Sequence, residues 1–155
     1  IGDVARQGMT DVRRSVKKLR PDALEKFDLE NAIVKMLKDT GAASGADIRF
    51  DNRVRPLKFH EDEEEVIYRG VQEATTNAIR HGQADEIGIS ISMEEQWLTV
   101  CIKDNGIGCA KVEEGFGLKH MQERINLLEG TLEYGGKDGF YIIARIPIRW
   151  GEEHE

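Results

Sequence analysis

The sequence predicts one compact α+β domain, a two-layer α/β sandwich in which helices cover one face of a mixed, mostly antiparallel sheet. Helical periodicity recurs in separated segments, two alternating apolar segments are joined by a short turn, and two more strand-like segments follow the last helix. The 155 residues suit a single domain, and 39% apolar residues supply enough side chains for a core. Elements of this kind favour a sheet packed against helices.

Composition excludes several classes of protein. The net charge of −7 and the absence of a basic stripe argue against nucleic acid as a partner. No apolar run approaches the roughly 20 residues that span a membrane, and no signal peptide is recognisable. The two cysteines, Cys101 and Cys109, are too few for a disulfide scaffold or a metal site. They indicate reduced thiols and a cytoplasmic setting.

The first 20 residues differ from the rest, because they carry a short, weak helical seam that ends before Pro21. The segment is either a helix docked on its own domain or the end of a longer helical bundle. We favour the bundle, since the pattern opens without a cap. The boundaries predicted are therefore 1–20 for the end of a longer helical bundle, 21–150 for the main domain and 151–155 for a tail. The seam is too short to settle the oligomeric state of this chain.

The first half of the main domain predicts two helices around one strand. Asp28 is a plausible N-cap for an amphipathic helix over residues 29–37, and residues 41–45 read as a turn. A short strand follows over Asp47–Asn52. Residues 61–81 predict a long helix, whose acidic start suits the positive end of its dipole.

The second half predicts a hairpin, a helix and two final strands. Residues 87–93 alternate apolar and small residues, and the turn at 94–96 joins them to a second strand, Trp97–Asp104. The helix over residues 118–128 should be closed by Gly130. Residues 131–134 and 140–148 then predict two strands separated by glycine-containing turns.

The first candidate functional residue is Asp104, which closes the second hairpin strand. Because side chains alternate along a strand, Asp104 shares the apolar face with Val100 and Ile102. A carboxylate in that place is costly unless it is hydrogen-bonded, and there it can accept a bond from an exocyclic amine such as that of adenine. The alternative is a strand-end acid that turns outward or caps the next turn.

A second candidate group lies on the long helix. Glu73, Asn77 and His81 are spaced by four residues, so they form a polar stripe at the edge of the helix, next to Arg80. A carboxylate and an amide oxygen on one edge can hold a hydrated Mg²⁺. The alternative is a solvated face that ends in a histidine.

Two glycine-rich turns complete the pattern. Asp104-Asn105-Gly106-Ile107-Gly108 follows the strand, and Gly106 and Gly108 would let the backbone approach a base and adopt positive φ. Gly115-Phe116-Gly117-Leu118 opens the next helix, where free amides bind phosphate. The polar residues 109–114 between them could close as a lid. The alternative is a flexible loop before an ordinary helix start.

The three segments together resemble a known family. Glu73 to His81, Asp104 to Gly108 and Gly115 to Leu118 resemble the N, G1 and G2 boxes of the GHKL (Bergerat) ATP-binding fold. That superfamily includes sensor histidine kinases, DNA gyrase, Hsp90 and MutL. The run Gly117-Leu118-Lys119-His120-Met121-Gln122-Glu123-Arg124-Ile125 is similar to the histidine kinases that act on NarL-type response regulators. The segments Val12-Arg13 and Leu19-Arg20-Pro21 resemble the end of their second dimerisation helix.

The resemblance implies an ATP-binding catalytic domain of a two-component sensor histidine kinase, with ATP and Mg²⁺ as cofactors. The partners implied are a dimerisation domain, which receives the γ-phosphoryl group on a histidine, and a NarL-type response regulator. The parent protein would be a homodimer in the cytoplasm, with membrane anchoring left open. Two alternatives remain: a GHKL serine kinase of the anti-sigma-factor type, and a module that binds nucleotide or partners without catalysis.

The resemblance also implies roles for individual residues. Asn77 would ligate Mg²⁺, Glu73 would position or polarise the reacting group, and Asp104 would read the adenine amine. Arg80 and His81 would approach the phosphates. The residues implied to shape the pocket and lid are Gly106, Gly108, Gly115, Gly117 and Leu118.

The chain departs from the family in two ways. Gly139-Phe140 stands where many relatives have Gly-Thr, so no ligand role is carried over there. The first dimerisation helix, which bears the phosphoacceptor histidine, is not recognisable. None of His60, His120 and His154 is expected to serve as the acceptor.

Overall fold

The computed structural model describes residues 20–107 and 117–148, so the predicted stub and tail lie almost wholly outside the described residues. Its elements, in chain order, are α1 (Asp22–Lys26), α2 (Leu29–Ser44), β1 (Asp47–Asn52), α3 (Glu61–Arg80), β2 (Glu86–Glu94), β3 (Trp97–Asp104), α4 (Leu118–Leu127), β4 (Thr131–Gly135) and β5 (Phe140–Pro147). No helix in these two ranges has the length and apolar character needed to cross a membrane.

The described strands form one sheet in the order β1-β2-β3-β5-β4. Strands β1 and β2 are parallel, whereas the β2–β3, β3–β5 and β4–β5 pairs are antiparallel. The hairpin prediction is confirmed, because Glu94 pairs with Trp97 at its tip. The predicted α+β fold, with a mixed and mostly antiparallel sheet, is confirmed as well.

The core lies between this sheet and the helices that pack on one of its faces. Alternate residues of β2 and β3 are buried: Ile87, Ile89, Ile91, Leu98, Val100 and Ile102 are each at most 4% exposed. Helix α3 contributes Val71, which is fully buried. Asp28 caps α2 as expected, accepting a 2.8 Å hydrogen bond from the amide of Asn31. This packing places the end of β3 beside the C-terminal end of α3.

The predicted turn at residues 41–45 is wrong in its first four positions. Helix α2 continues through Gly41 to Ser44 and ends only at Gly45, whose φ of 80° is left-handed. A single glycine is tolerated inside a helix when its neighbours, here Ala42 and Ala43, are strong helix formers. The short helix α1 (Asp22–Lys26) was not predicted from the sequence.

Gly130 follows α4 as expected, but the left-handed residue that ends the helix is Glu129, with φ 61°. The amides of Glu129 and Gly130 donate to the carbonyls of Asn126 and Ile125, each at 2.9 Å, which is the Schellman arrangement. Gly130 is needed for space, since an added Cβ would lie 2.4 Å from the carbonyl oxygen of Arg145. The glycine therefore lets the end of α4 pack against β5.

Replacing Gly130 by Ala should lower the free energy of unfolding by about 1–3 kcal/mol, because the backbone of Arg145 must move. Gly70→Ala, inside α3, is the matched control: nothing lies within 4 Å of its added Cβ. That change should raise the free energy of unfolding by about 0.5–1 kcal/mol. Urea denaturation measures both, and equal effects of the two substitutions would contradict the packing described for Gly130.

Candidate nucleotide site

Asp104 lies where the sequence predicts, at the end of β3 and on the helix-covered face of the sheet. It pairs in register with Ile87 of β2 and with Phe140 of β5, and directly opposed residues share a face. Ile87 is only 2% exposed, and Asp104 itself is half-buried. The carboxylate thus has apolar neighbours on both sides.

Two backbone amides hold the Asp104 carboxylate. Gly106 donates a 2.8 Å hydrogen bond to Oδ1, and the backbone of Phe140 donates a second bond. Burial raises the pKa of Asp104 above its ordinary value, while these two bonds act in the opposite direction. A carboxylate has about four lone-pair positions, so acceptor capacity remains for an incoming N–H group.

The loop after Asp104 is fixed to neighbouring backbone. The side chain of Asn105 accepts hydrogen bonds from the amides of Asp85 (3.0 Å) and Glu86 (2.9 Å). The amide of Ile107 donates to the carbonyl of Gly82 at 2.8 Å. Gly82 is the second residue after the C-terminal end of α3, so this bond ties the acid-bearing loop to the helix that carries the polar stripe.

Gly106 lies very close to another part of the backbone, although the approach expected from the sequence was to a base. An added Cβ would lie 2.3 Å from the carbonyl oxygen of Gly82, so the close neighbour is the protein's own backbone. Gly106 is also not among the described glycines with positive φ, contrary to expectation. Its small size allows the loop to reach the end of α3.

Glu73 and Asn77 lie one turn apart on α3 as predicted, with His81 at the C-cap, and Glu73 contacts α4. Its Oε1 accepts a 3.1 Å hydrogen bond from Nη1 of Arg124 in α4. Its Oε2 is buried, and no hydrogen-bond donor among the described residues reaches it. Asn77, one turn later, is half-buried. Its backbone carbonyl accepts a 2.9 Å hydrogen bond from the backbone amide of His81. Arg80 and His81 are exposed at the end of the helix.

The start of α4 lies against Glu73. Gly117 is the N-cap, with a left-handed φ of 86°, and an added Cβ would lie 2.8 Å from Glu73 Oε2. Leu118, the next residue, is only 4% exposed and anchors this end of the helix in the core. Gly108, Gly115 and the predicted lid over residues 109–114 lie outside the described residues.

The side-chain oxygens of Glu73 and Asn77 on α3 are suitable ligands for the predicted magnesium ion. A buried carboxylate oxygen that no donor among the described residues reaches, with an amide side chain one turn away, matches the hard oxygen ligands that Mg²⁺ takes. Among the described residues no three His, Cys, Asp or Glu side chains form a metal cluster. That is compatible with Mg²⁺, which is commonly held by one or two protein groups together with phosphates and water.

Two contributors to the site were not assigned from the sequence. Arg124 belongs to the run that resembles histidine kinases, yet its contact with Glu73 joins residues 51 positions apart. Phe140 holds Asp104 through its backbone, and only the register of β5 against β3 reveals this. Helical spacing could have placed Arg124 two turns beyond Gly117 on one face of α4, but not its partner.

Residues 62–149 match a family model described as histidine kinase-, DNA gyrase B- and HSP90-like ATPase. The histidine-protein kinase/phosphatase DegS of Brevibacillus brevis is 35% identical over 150 residues, covering 94% of this chain and 39% of that protein. The oxygen sensor histidine kinase NreB of Staphylococcus carnosus is 28% identical over 144 residues, covering 89% of this chain and 42% of that protein. The chain thus spans about two fifths of the length of these curated relatives.

Solved structures show the same fold. A blue-light activated histidine kinase from Erythrobacter litoralis EL346 superimposes with a TM-score of 0.67 at 18% identity, over 83% of this chain and 44% of that one. The catalytic domain of the histidine kinase ThkA gives a TM-score of 0.64 at 16% identity, over 78% of this chain and 91% of that one. The second match covers nearly all of an isolated catalytic domain.

Proposed function

This chain belongs to the family of histidine kinase-, DNA gyrase B- and HSP90-like ATPases, and from that premise we propose that it is the MgATP-binding catalytic domain of a two-component sensor histidine kinase. The observation that carries the proposal is the half-buried carboxylate of Asp104, set between Ile87 and Phe140. Its loop is tied to the end of the helix that bears Glu73 and Asn77.

In this proposal the Asp104 carboxylate accepts a hydrogen bond from the adenine amino group. The apolar neighbours exclude water from that bond, which strengthens it relative to the same bond in solvent. Arg80 and His81, exposed at the end of α3, approach the phosphates. The residues proposed to shape the pocket are Gly106, Gly108, Gly115, Gly117 and Leu118.

Asn77 and Glu73 act at the phosphate end. We propose that the amide oxygen of Asn77 holds Mg²⁺ and that the Glu73 carboxylate positions the reacting group beside it. When bound, the ion neutralises charge on the phosphate oxygens. The two residues lie one turn apart on one edge of α3, so the helix sets their backbone positions before nucleotide arrives.

The reaction proposed is transfer of the γ-phosphoryl group to a histidine on the dimerisation domain. The bond from γ-phosphorus to the bridging oxygen breaks, a P–N bond to the imidazole forms, and ADP leaves. An aspartate of a response regulator, which we propose to be of the NarL type, then takes the phosphoryl group. The parent protein is proposed to be a homodimer that works in the cytoplasm. Two relatives named as histidine kinases support this reaction class.

Transfer in trans tests the proposal directly. This chain should bind MgATP and, with [γ-³²P]ATP, should label a separately prepared dimerisation domain but not itself. The label should be lost in acid and survive in alkali, as expected for phosphohistidine. An acid-stable label on a serine would instead support the anti-sigma-type kinase. Failure to bind any nucleotide would support a non-catalytic module. Strong self-labelling without the second domain would contradict the expectation that no histidine of this chain accepts the phosphoryl group.

A further inference from the structure

The ion pair between Glu73 and Arg124 joins the middle of α3 to the last turn of α4. Arg124 Nη1 lies 3.1 Å from Glu73 Oε1, and the two side chains are 32% and 28% exposed. Partial burial reduces solvent screening of this pair relative to more exposed ones, such as that between Lys35 and Asp39, whose side chains are 57% and 68% exposed. The contact is therefore a candidate for a functional role.

The two oxygens of Glu73 are in different situations. Oε1 is held by Arg124, whereas Oε2 is buried and no donor among the described residues reaches it. Leaving a buried acceptor unsatisfied is unfavourable, and such groups concentrate at functional sites. The left-handed N-cap Gly117 adds a second constraint, because any side chain there would collide with Oε2. The structure thus holds one oxygen by a hydrogen bond, while the other is buried with no donor among the described residues.

We propose that Arg124 is a positioning residue for phosphoryl transfer. Its guanidinium holds Glu73 by Oε1 and so fixes the direction of Oε2 toward the reacting groups. The inference rests on the proposed function, since it assigns Glu73 a place beside the phosphates. Arg124 itself does not need to touch nucleotide. A guanidinium suits this task, because it donates a charge-assisted hydrogen bond, here to one oxygen of the carboxylate.

The competing explanation is a structural role, in which the ion pair only fastens α4 to α3. The two explanations differ in what the Arg124→Met substitution changes. Loss of a fastening lowers thermal stability and leaves the rate constant intact well below the melting temperature. Loss of positioning lowers the rate constant for transfer while the affinity for nucleotide stays close to that of the wild type.

The experiment measures transfer to a separately prepared dimerisation domain for the Arg124→Met, Arg124→Lys, Glu73→Gln and Arg124→Met/Glu73→Gln variants. Arg124→Met should lower kcat by about 10- to 100-fold, as expected for a misplaced catalytic group, with KM for ATP changed by less than about threefold. Arg124→Lys should restore part of the loss. In the Glu73→Gln background, Arg124→Met should have little further effect, because it acts through Glu73. Lys35→Met removes a comparably short 3.0 Å ion pair on α2 and should leave kcat unchanged.

A second measurement does not depend on transfer. The side-chain carboxyl signal of Glu73 in an NMR spectrum should shift in the Arg124→Met variant and move back in Arg124→Lys. Failure of the wild-type chain to transfer phosphate would contradict the proposed function. A Glu73 signal that does not move in Arg124→Met would contradict only the positioning role of Arg124. Full kcat in Arg124→Met, or additive losses in the double variant, would likewise overturn the positioning role.

Discussion

Asp104→Asn should weaken MgATP-analogue binding by about 10- to 100-fold. The substitution removes a charged acceptor and places an NH₂ donor in the slot, and a hydrogen bond to a charged group contributes about 1.5–3 kcal/mol. The apolar neighbours Ile87 and Phe140 offer no alternative partner for the adenine amine from their side chains. Calorimetric titration of the parent and the variant measures the change.

An inosine nucleotide sharpens this test, because a carbonyl oxygen replaces the exocyclic amine. The parent should bind it poorly, since two acceptors would face each other, and Asp104→Asn should narrow or reverse the preference for adenine. Asp51→Asn, at an exposed position of β1, is the control and should change neither affinity. Equal binding of ATP analogue by the parent and Asp104→Asn would show that this acid does not read the base.

Asn77→Ala should reduce phosphoryl transfer by about 100- to 1,000-fold. The variant removes the amide oxygen proposed to hold the metal ion, and the charge stabilisation that such an ion provides is worth several kcal/mol. The defect should be smaller at high Mg²⁺ concentration, because the loss is one of metal affinity. Single-turnover transfer over a range of Mg²⁺ concentrations measures it.

The exposed Gln72, on the same helix, supplies the control for that prediction. Gln72→Ala changes a neighbouring residue without touching the cleft edge and should transfer phosphate at the parental rate. Thermal unfolding of both variants separates loss of function from loss of fold. If Asn77→Ala transfers phosphate at the parental rate and with the parental Mg²⁺ dependence, Asn77 does not bind the metal ion.

The fold was predictable where one side of an element is buried. In β2 and β3 every second residue faces the core, so the hydrophobic pattern reports both the strand and its orientation. The end of α2 was harder to predict. Gly41 and Gly45 are the same residue type, and only the bonding of the last turn decides which of them ends the helix. Glu129 adopts a conformation that its residue type disfavours, because the packing of Gly130 requires the turn there.

The candidate site was predictable in its local parts and not in its connections. The placement of Asp104 followed from strand alternation, and that of Glu73 and Asn77 from helical spacing. The contact of Glu73 with Arg124 spans 51 positions, and the bond from Phe140 to Asp104 depends on which strand lies beside β3. Local periodicity carries no information on either. The role of Gly106 was inferred for a ligand, whereas its tight neighbour is the carbonyl of Gly82.

The hydrogen bond between the amide of Ile107 and the carbonyl of Gly82 joins two main-chain groups. Side-chain replacements can accumulate around such a link without deleting it, provided that the residue at 106 stays small. The spacing between the loop of Asp104 and the end of α3 is thereby insulated from replacements of surface side chains. In the proposed nucleotide site, the spacing between the adenine-binding carboxylate and the phosphate-facing helix is thus set by the peptide backbone.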